Sequence, residues 1–315
     1  MMAENKRESV CVINNQDYPG LYQAADTAST SAQKIYLLLQ QTYLASLIIG
    51  GLMGMLASLF TDGALKGAYT VMAIVLAIGL LILWIGRSRQ DDNAWFDCRA
   101  IAESVKTATW RYMMIASPFQ NHGVIDQDFI SELQEIRKAR PDCQKHFASV
   151  QAANNPPITD FIRRVRESTY EDRKHFYIEQ RLCDQKSWYF EKAKMNADES
   201  VRWFWWTAGL QSVALIVAII QASAGGLGFN MIPILTTCAA VVAAWNQMKR
   251  HDELKKAYAL ASQELNELEA IARNLPSESD FPQLVEQVEE TISREHTMWC
   301  ARRDVPLRRS GSRAR

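Results

Sequence analysis

The chain has 315 residues, with 35 Lys and Arg against 35 Asp and Glu, so its formal net charge is zero. Its mean hydropathy is mildly negative. That length suits two domains, the balanced charge gives no bulk argument for a nucleic-acid partner, and the hydropathy confines any membrane part to a minority flanked by large polar segments.

Met1–Gln16 has no periodicity and reads as a loose N-terminus, followed by a turn at Asp17-Tyr18-Pro19-Gly20. Leu21–Thr42 reads as a helix rich in small residues that reaches a membrane through Tyr36 and Tyr43. Tyr43–Phe60 and Ala68–Ile85 are then two apolar runs, joined by the short stretch 61–67. Each is about 27 Å long as a helix, close to the ~30 Å hydrocarbon core of a bilayer. Neither carries a charge or the polar stripe of a soluble core helix, so the pair reads as a transmembrane hairpin. In the first helix Ser46, Gly50, Gly54 and Ser58 recur every four residues and form one face without bulk. Such a face is either a helix-packing seam or the lining of a pore.

Arg87–Ala116 is expected to leave the membrane as a helix, stopped at Ser117-Pro118-Phe119, with a short helix over Asp126–Arg140 and Pro141 as a stop or a restart. Gln151–Thr159, with Asn154-Asn155-Pro156-Pro157, reads as a linker. It divides a first unit, 17–150, from a second, 160–303. Asp160–Arg202 reads as one long charged helix running into a third apolar run, Trp203–Ala222, and a fourth follows at Gly228–Trp245. Thr207, Gln211, Ala214 and Ala218 make the small or polar stripe of the third helix; Thr236 and Thr237 follow Pro233 in the fourth. Gln211, near mid-membrane, needs a hydrogen-bond partner or water. Tyr43, Trp84, Arg87, Arg202, Trp203, Trp205, Trp206 and Trp245 are placed to anchor the helices at the interface.

The second hairpin repeats the first at an offset of about 160 positions. The register continues beyond the membrane: Ala94, Cys98, Ile101, Val105, Ala108 and Tyr112 correspond to Leu254, Tyr258, Ala261, Leu265, Leu268 and Ala272. Both sets step by four and three, the seam of packed helices. Two duplicated units follow. Pro276–Asp280 interrupts, with Ser279 or Asp280 as a cap, before an amphipathic helix Phe281–Cys300 carrying Phe281, Leu284, Val285, Val288, Ile292 and Trp299 on one side. Residues 302–315 hold six arginines. They read as a solvated tail, with contact to anionic lipid as the other reading.

Membrane-proximal Lys and Arg concentrate on one side of the four runs, while the short loops on the other side offer only Lys66. This places both termini and the middle segment in the cytoplasm. No signal peptide is visible. The six cysteines show no Cys-x-x-Cys spacing and are expected as free thiols. No phosphate loop, nucleophile elbow or metal motif occurs, so neither an enzyme nor a cofactor is expected. The fold class is therefore an all-α membrane protein: four transmembrane helices as two hairpins, with long cytoplasmic helices in coiled-coil-like bundles.

Tyr177–Asn196, Ala257–Leu265 and Ser293–Trp299 resemble the SLATT family, and Leu21–Asp26 with Trp95–Thr107 is similar to a different SLATT subgroup. The resemblance runs from about residue 18 to 302. It implies two-helix membrane modules that act as effectors in prokaryotic conflict systems, oligomerising and permeabilising the inner membrane when a partner senses infection. The chain carries no nucleotide-sensing domain of the family's usual partners, so a separate sensor or nucleotide-signalling protein is expected. The expected function is a pore-forming or membrane-disrupting homo-oligomer, and the alternative is a membrane-anchored scaffold that recruits partners without conductance. Its expected partners are the lipid bilayer and further copies of itself, with no nucleic acid.

Overall fold

The protein is seen in a computed structural model that describes residues 12–120, 123–147, 155–224 and 230–301. The start of the N-terminal segment, part of the 151–159 linker, the turn of the second hairpin and the arginine-rich tail lie outside the described residues. Helix makes up 87% of the structure, and no strand occurs among the described residues. The fold is all-α.

Ten α-helices carry the described chain: α1 (Gly20–Ala57), α2 (Asp62–Arg89), α3 (Asp91–Met113), α4 (Ile125–Lys138), α5 (Asp160–Glu167), α6 (Tyr170–Tyr177), α7 (Asp184–Ala224), α8 (Ile232–Lys249), α9 (His251–Arg273) and α10 (Phe281–Ala301). The approach helix and the first apolar run merge into one 38-residue helix, α1. The first hairpin turn is tighter than expected. The chain turns at Ser58–Thr61, and α2 already begins at Asp62. An 18-residue run needs only a few residues to reverse, so most of the 61–67 stretch is free to extend α2.

The expected single helix over Asp160–Arg202 is instead segmented. Ser168 ends α5 in an extended conformation, and Thr169 restarts the chain by accepting a bond from the Asp172 N–H. Thr159 caps α5 in the same way through the Ile162 N–H. A π-helical turn, Ile178–Cys183, then links α6 to α7. Before α10 the cap also differs: Ser277 accepts from the Ser279 N–H in a 3-10 turn. Pro233 starts α8, where its missing N–H costs no helical bond.

The duplication is visible in the backbone. Helices α3 and α9 are both 23 residues long and begin 160 positions apart, at Asp91 and His251. Each is preceded by a left-handed residue, Gln90 (φ 52°) and Arg250 (φ 54°). In each, the N–H of that residue bonds back four positions, to the Gly86 and Asn246 carbonyls. This C-cap ends one helix and lets the next leave in a new direction.

Packing divides the chain across these halves. One compact unit comprises the chain up to Ser31, Ala94–Glu191 and Tyr258 onward; the other comprises Ala32–Asn93 and Lys192–Ala257. The first is a bundle with a dense apolar core of Ile101, Val105, Trp110, Tyr177, Leu265 and Val288, all almost fully buried. Helices from both sequence halves share that core.

The second unit holds the apolar runs. Three helical stretches are long and apolar enough to cross a membrane: Gly20–Ala57, Gly63–Met113 and Tyr170–Ser223. Only 11% of each apolar stretch is buried by the rest of the chain. Trp84, Leu80 and Leu215 are more than 60% exposed, an outward apolar surface that water would penalise and lipid does not. The fourth run is described from Asn230, and α8 is 18 residues long with a polar end at Asn246–Lys249.

Candidate functional site

The apolar unit is built by close approach. Gly50 faces Leu76, whose Cδ2 lies 3.0 Å from the position a Cβ would take, and Gly54 faces Met72 at 3.7 Å. From the opposite wall, a Cβ on Gly79 would lie 2.4 Å from the Ser46 Oγ. The stripe Ser46, Gly50, Gly54 therefore seats α1 against α2, as small residues do where lipid supplies no hydrophobic drive between helices. Gly51, next to this stripe, faces Ile234 and Thr237 of α8 at 3.3 Å, so the two hairpins pack together. Gly79 and Gly51 escaped the sequence reading because each needs a partner helix to give its missing side chain a meaning.

The other members of the stripes are placed differently. Ser58 is exposed and bonds to the Met55 carbonyl. The hydroxyls of Thr207, Thr236 and Thr237 donate to carbonyls of their own helix turn, at Trp203, Ile232 and Pro233. Ala214 is buried and Ala218 half-buried, whereas Gln211 is exposed. Its amide has no hydrogen-bond partner among the described residues. Of the interface residues, Trp84, Trp205 and Trp206 are strongly exposed. Arg202 lies over the Trp203 ring at 5.9 Å and Lys249 over Trp245 at 4.9 Å, cations resting on aromatic faces. Tyr43 is half-buried against Gly79; Arg87 is in the last turn of α2.

At the start of α9, His251 is buried and its Nδ1 lies 2.7 Å from the Asn196 Oδ1. Ser200 donates to Asp252 at 2.9 Å, and Lys255 pairs with the same carboxylate at 2.5 Å. Burial lowers the His251 pKa below its ordinary value, and Glu199 only partly counteracts this. The unfolded chain then binds the proton more readily than the folded one. Its contribution to stability is present above the unfolded pKa of ~6.5 and lost as pH falls below it. Thermal unfolding in detergent should therefore drop between pH 7.5 and 5.5, and His251→Gln should flatten that fall. An unchanged pH slope in the variant would exclude His251 as its source.

In the bundle unit, Ile101, Val105 and Tyr112 of α3 are buried, as is Leu265 of α9. Tyr258 and Leu268 are half-buried there, and so is Leu254 in the apolar unit. At the centre lies an ion pair with no solvent access: Arg181 donates to Glu289 at 2.9 and 2.7 Å. Tyr177 and Thr107 donate to the same carboxylate at 3.1 and 3.0 Å. Burial alone would lower the Arg181 pKa, but Glu289 outweighs it and the guanidinium is held charged. Burial raises the Tyr177 pKa, so its hydroxyl stays a donor. This network joins α3, the π-helical turn and α10, and no sequence motif announces it. Two further buried groups correct the sequence expectation of free thiols: Cys98 and Cys143 meet at disulfide-bonding distance, with Cα atoms 5.6 Å apart, while Cys183 and Cys238 form no disulfide among the described residues. The two cysteines stand 45 positions apart, a separation that spacing patterns do not register. No group of three or more His, Cys, Asp or Glu able to hold a metal occurs among the described residues.

Two family profiles match. Residues 19–174 match the SMODS and SLOG-associating 2TM effector domain 3, and residues 177–299 match the SMODS and SLOG-associating 2TM effector domain 1. No curated protein matches the chain, and no solved structure does. SLATT domains are two-transmembrane effector domains associated with conflict and anti-phage systems. The outward apolar helices, the paired left-handed junctions and these two adjoining matches agree: the chain belongs to the SLATT family and carries two of its two-transmembrane effector domains in tandem.

Proposed function

We propose that the protein is a pore-forming effector of a prokaryotic anti-phage system, assembling as a homo-oligomer in the inner membrane and opened by a separate sensor or signal. All four apolar runs span the bilayer in this reading, with both termini in the cytoplasm. The observation that carries it is Gln211. An amide near the middle of an apolar run, exposed and without a hydrogen-bond partner among the described residues, costs several kcal/mol in hydrocarbon. A second copy supplies the partner, or water in a conduit does. The two combine where several copies ring a lumen. The bundle unit then acts as the element whose two arrangements a signal biases.

The test is dye release from liposomes. The wild-type protein, alone or with its trigger, should release dye. Gln211→Leu should cut release by about tenfold or more, and Gln211→Asn should retain it, since ~1.4 kcal/mol of lost association is already a factor of ten. Liposomes that stay sealed under every trigger, while the protein still captures a cytoplasmic partner, would replace the pore with a scaffold.

A further inference from the structure

The duplication lets the two hairpins be compared, residue by residue, where α2 and α8 end. At the offset of 160, Arg89 corresponds to Lys249 and Asp91 to His251. In the first half the cation and the acid pair at 2.7 Å, and that bond holds the Arg89 pKa above its ordinary value. In the second half a histidine stands in the place of the acid. Lys249 is half-buried, 4.9 Å over the Trp245 ring, with no ion pair among the described residues. Burial lowers its pKa, and Glu199 only partly opposes this. The acids around it already have cations: Glu199 has Arg202, Asp252 has Lys255 and Glu253 has Arg250. His251 supplies no counter-charge either. Burial lowers its pKa, and Lys249 and Arg202 lower it further against the pull of Glu199 and Asp252, so the ring is neutral near neutral pH. Of the charges just named, Lys249 is the one left unmatched.

We propose that Lys249, steadied by the Trp245 ring, binds the phosphate of an anionic phospholipid at the polar end of α8. A partly desolvated ammonium gains most from an anion that completes its pairing. Its depth suits a lipid. Lys249 lies one helical turn, about 6 Å, beyond Trp245, the last residue of the fourth apolar run, which is where headgroup phosphates meet a membrane helix. Arg202, over the Trp203 ring on α7, adds a second cation near the same histidine. A headgroup with one net negative charge matches the single unmatched lysine, whereas a zwitterionic headgroup brings its own ammonium towards the two cations. The first hairpin has no equivalent site, because Asp91 already neutralises Arg89. The inference takes the fourth run as spanning the bilayer, as proposed above, and needs no conductance.

The test is native mass spectrometry of the full chain released from nanodiscs of equal parts phosphatidylglycerol and phosphatidylcholine, counting the lipids it keeps. The wild-type chain should keep phosphatidylglycerol over phosphatidylcholine by about fivefold, the factor that ~1 kcal/mol for one cation at an anionic headgroup corresponds to. Lys249→Gln should remove that preference, Lys249→Arg should retain it and Trp245→Leu should weaken it. His251→Asp rebuilds the arrangement of Arg89 and Asp91 and should also remove it; Lys249→Gln decides if that variant unfolds. Lys194→Gln, which takes the same charge from an exposed position on α7, should change nothing. A preference that survives Lys249→Gln, or that falls equally in Lys194→Gln, overturns the site. So does lipid displaced by inorganic phosphate but not by chloride at equal ionic strength, which would assign the lysine to a soluble phosphate. A chain that never enters the nanodiscs removes the membrane reading and this site together, whereas one that enters them without any preference overturns the site alone.

Discussion

Glu289→Leu is expected to destabilise the bundle unit by about 3–5 kcal/mol, the loss typical of leaving a buried charge without its partner. Arg181 is 1% exposed and has no second carboxylate within ion-pair distance among the described residues. Its Nη1 already has no hydrogen-bond partner among the described residues, so the variant would strand the whole guanidinium. The Tyr177 and Thr107 hydroxyls would lose their acceptor as well. Against a usual total of roughly 5–15 kcal/mol, such a loss is large. The double replacement Arg181→Met, Glu289→Leu should be less damaging than Glu289→Leu alone, because it removes the stranded charge together with its partner. Protease susceptibility across a urea series, in mild detergent, measures both. A Glu289→Leu protein within about 1 kcal/mol of wild type would mean that water or a rearranged side chain reaches the pair.

Gly79→Leu is expected to open the α1–α2 seam. A Cβ there would meet the Ser46 Oγ at 2.4 Å and the Ser46 Cβ at 3.3 Å. The hydroxyl can rotate away only by giving up its bond to the Tyr43 carbonyl, and the Ser46 Cβ remains close in any rotamer. Helix backbones must separate, at a cost of about 1–3 kcal/mol for overpacking, and the dye release expected of the proposed pore should fall with it. Gly63→Ala is the control, since nothing lies within 4 Å of its added carbon. Exchanging the small residues across the seam, Ser46→Gly with Gly79→Ser, should restore most of the loss. Unfolding in a detergent titration together with liposome release reads the series. If Gly79→Leu behaves like Gly63→Ala, the contact is not a constraint.

The duplication and the membrane assignment were legible in the chain because both are periodic properties. Apolar runs matched to bilayer thickness, a polar break between them and an offset of about 160 positions need no three-dimensional partner to be recognised. The backbone repeats that offset at Gln90 and Arg250. The junctions themselves were missed: neither residue is glycine, and a left-handed C-cap on Gln or Arg has no compositional mark. The segmentation of Asp160–Arg202 escaped notice for a related reason. Ser168 and Thr169 are tolerable inside a helix, and only the capping bond made by Thr169 reveals the break.

By itself, then, the sequence determined the helical class and the stretches suited to lipid, because hydrophobic burial is additive along a chain and leaves its period in the residue order; the tandem SLATT membership rests instead on particular residues that resemble the family and on the two profile matches. The tertiary structure decided which small face meets which helix, why Gly79 opposes Ser46, and how Arg181 finds Glu289 more than a hundred positions away. It also decided that helices from the two halves share one core while their apolar runs form another unit. Those outcomes depend on shape complementarity and on pairing charges that are distant in sequence, and both exist only once the helices have been brought together.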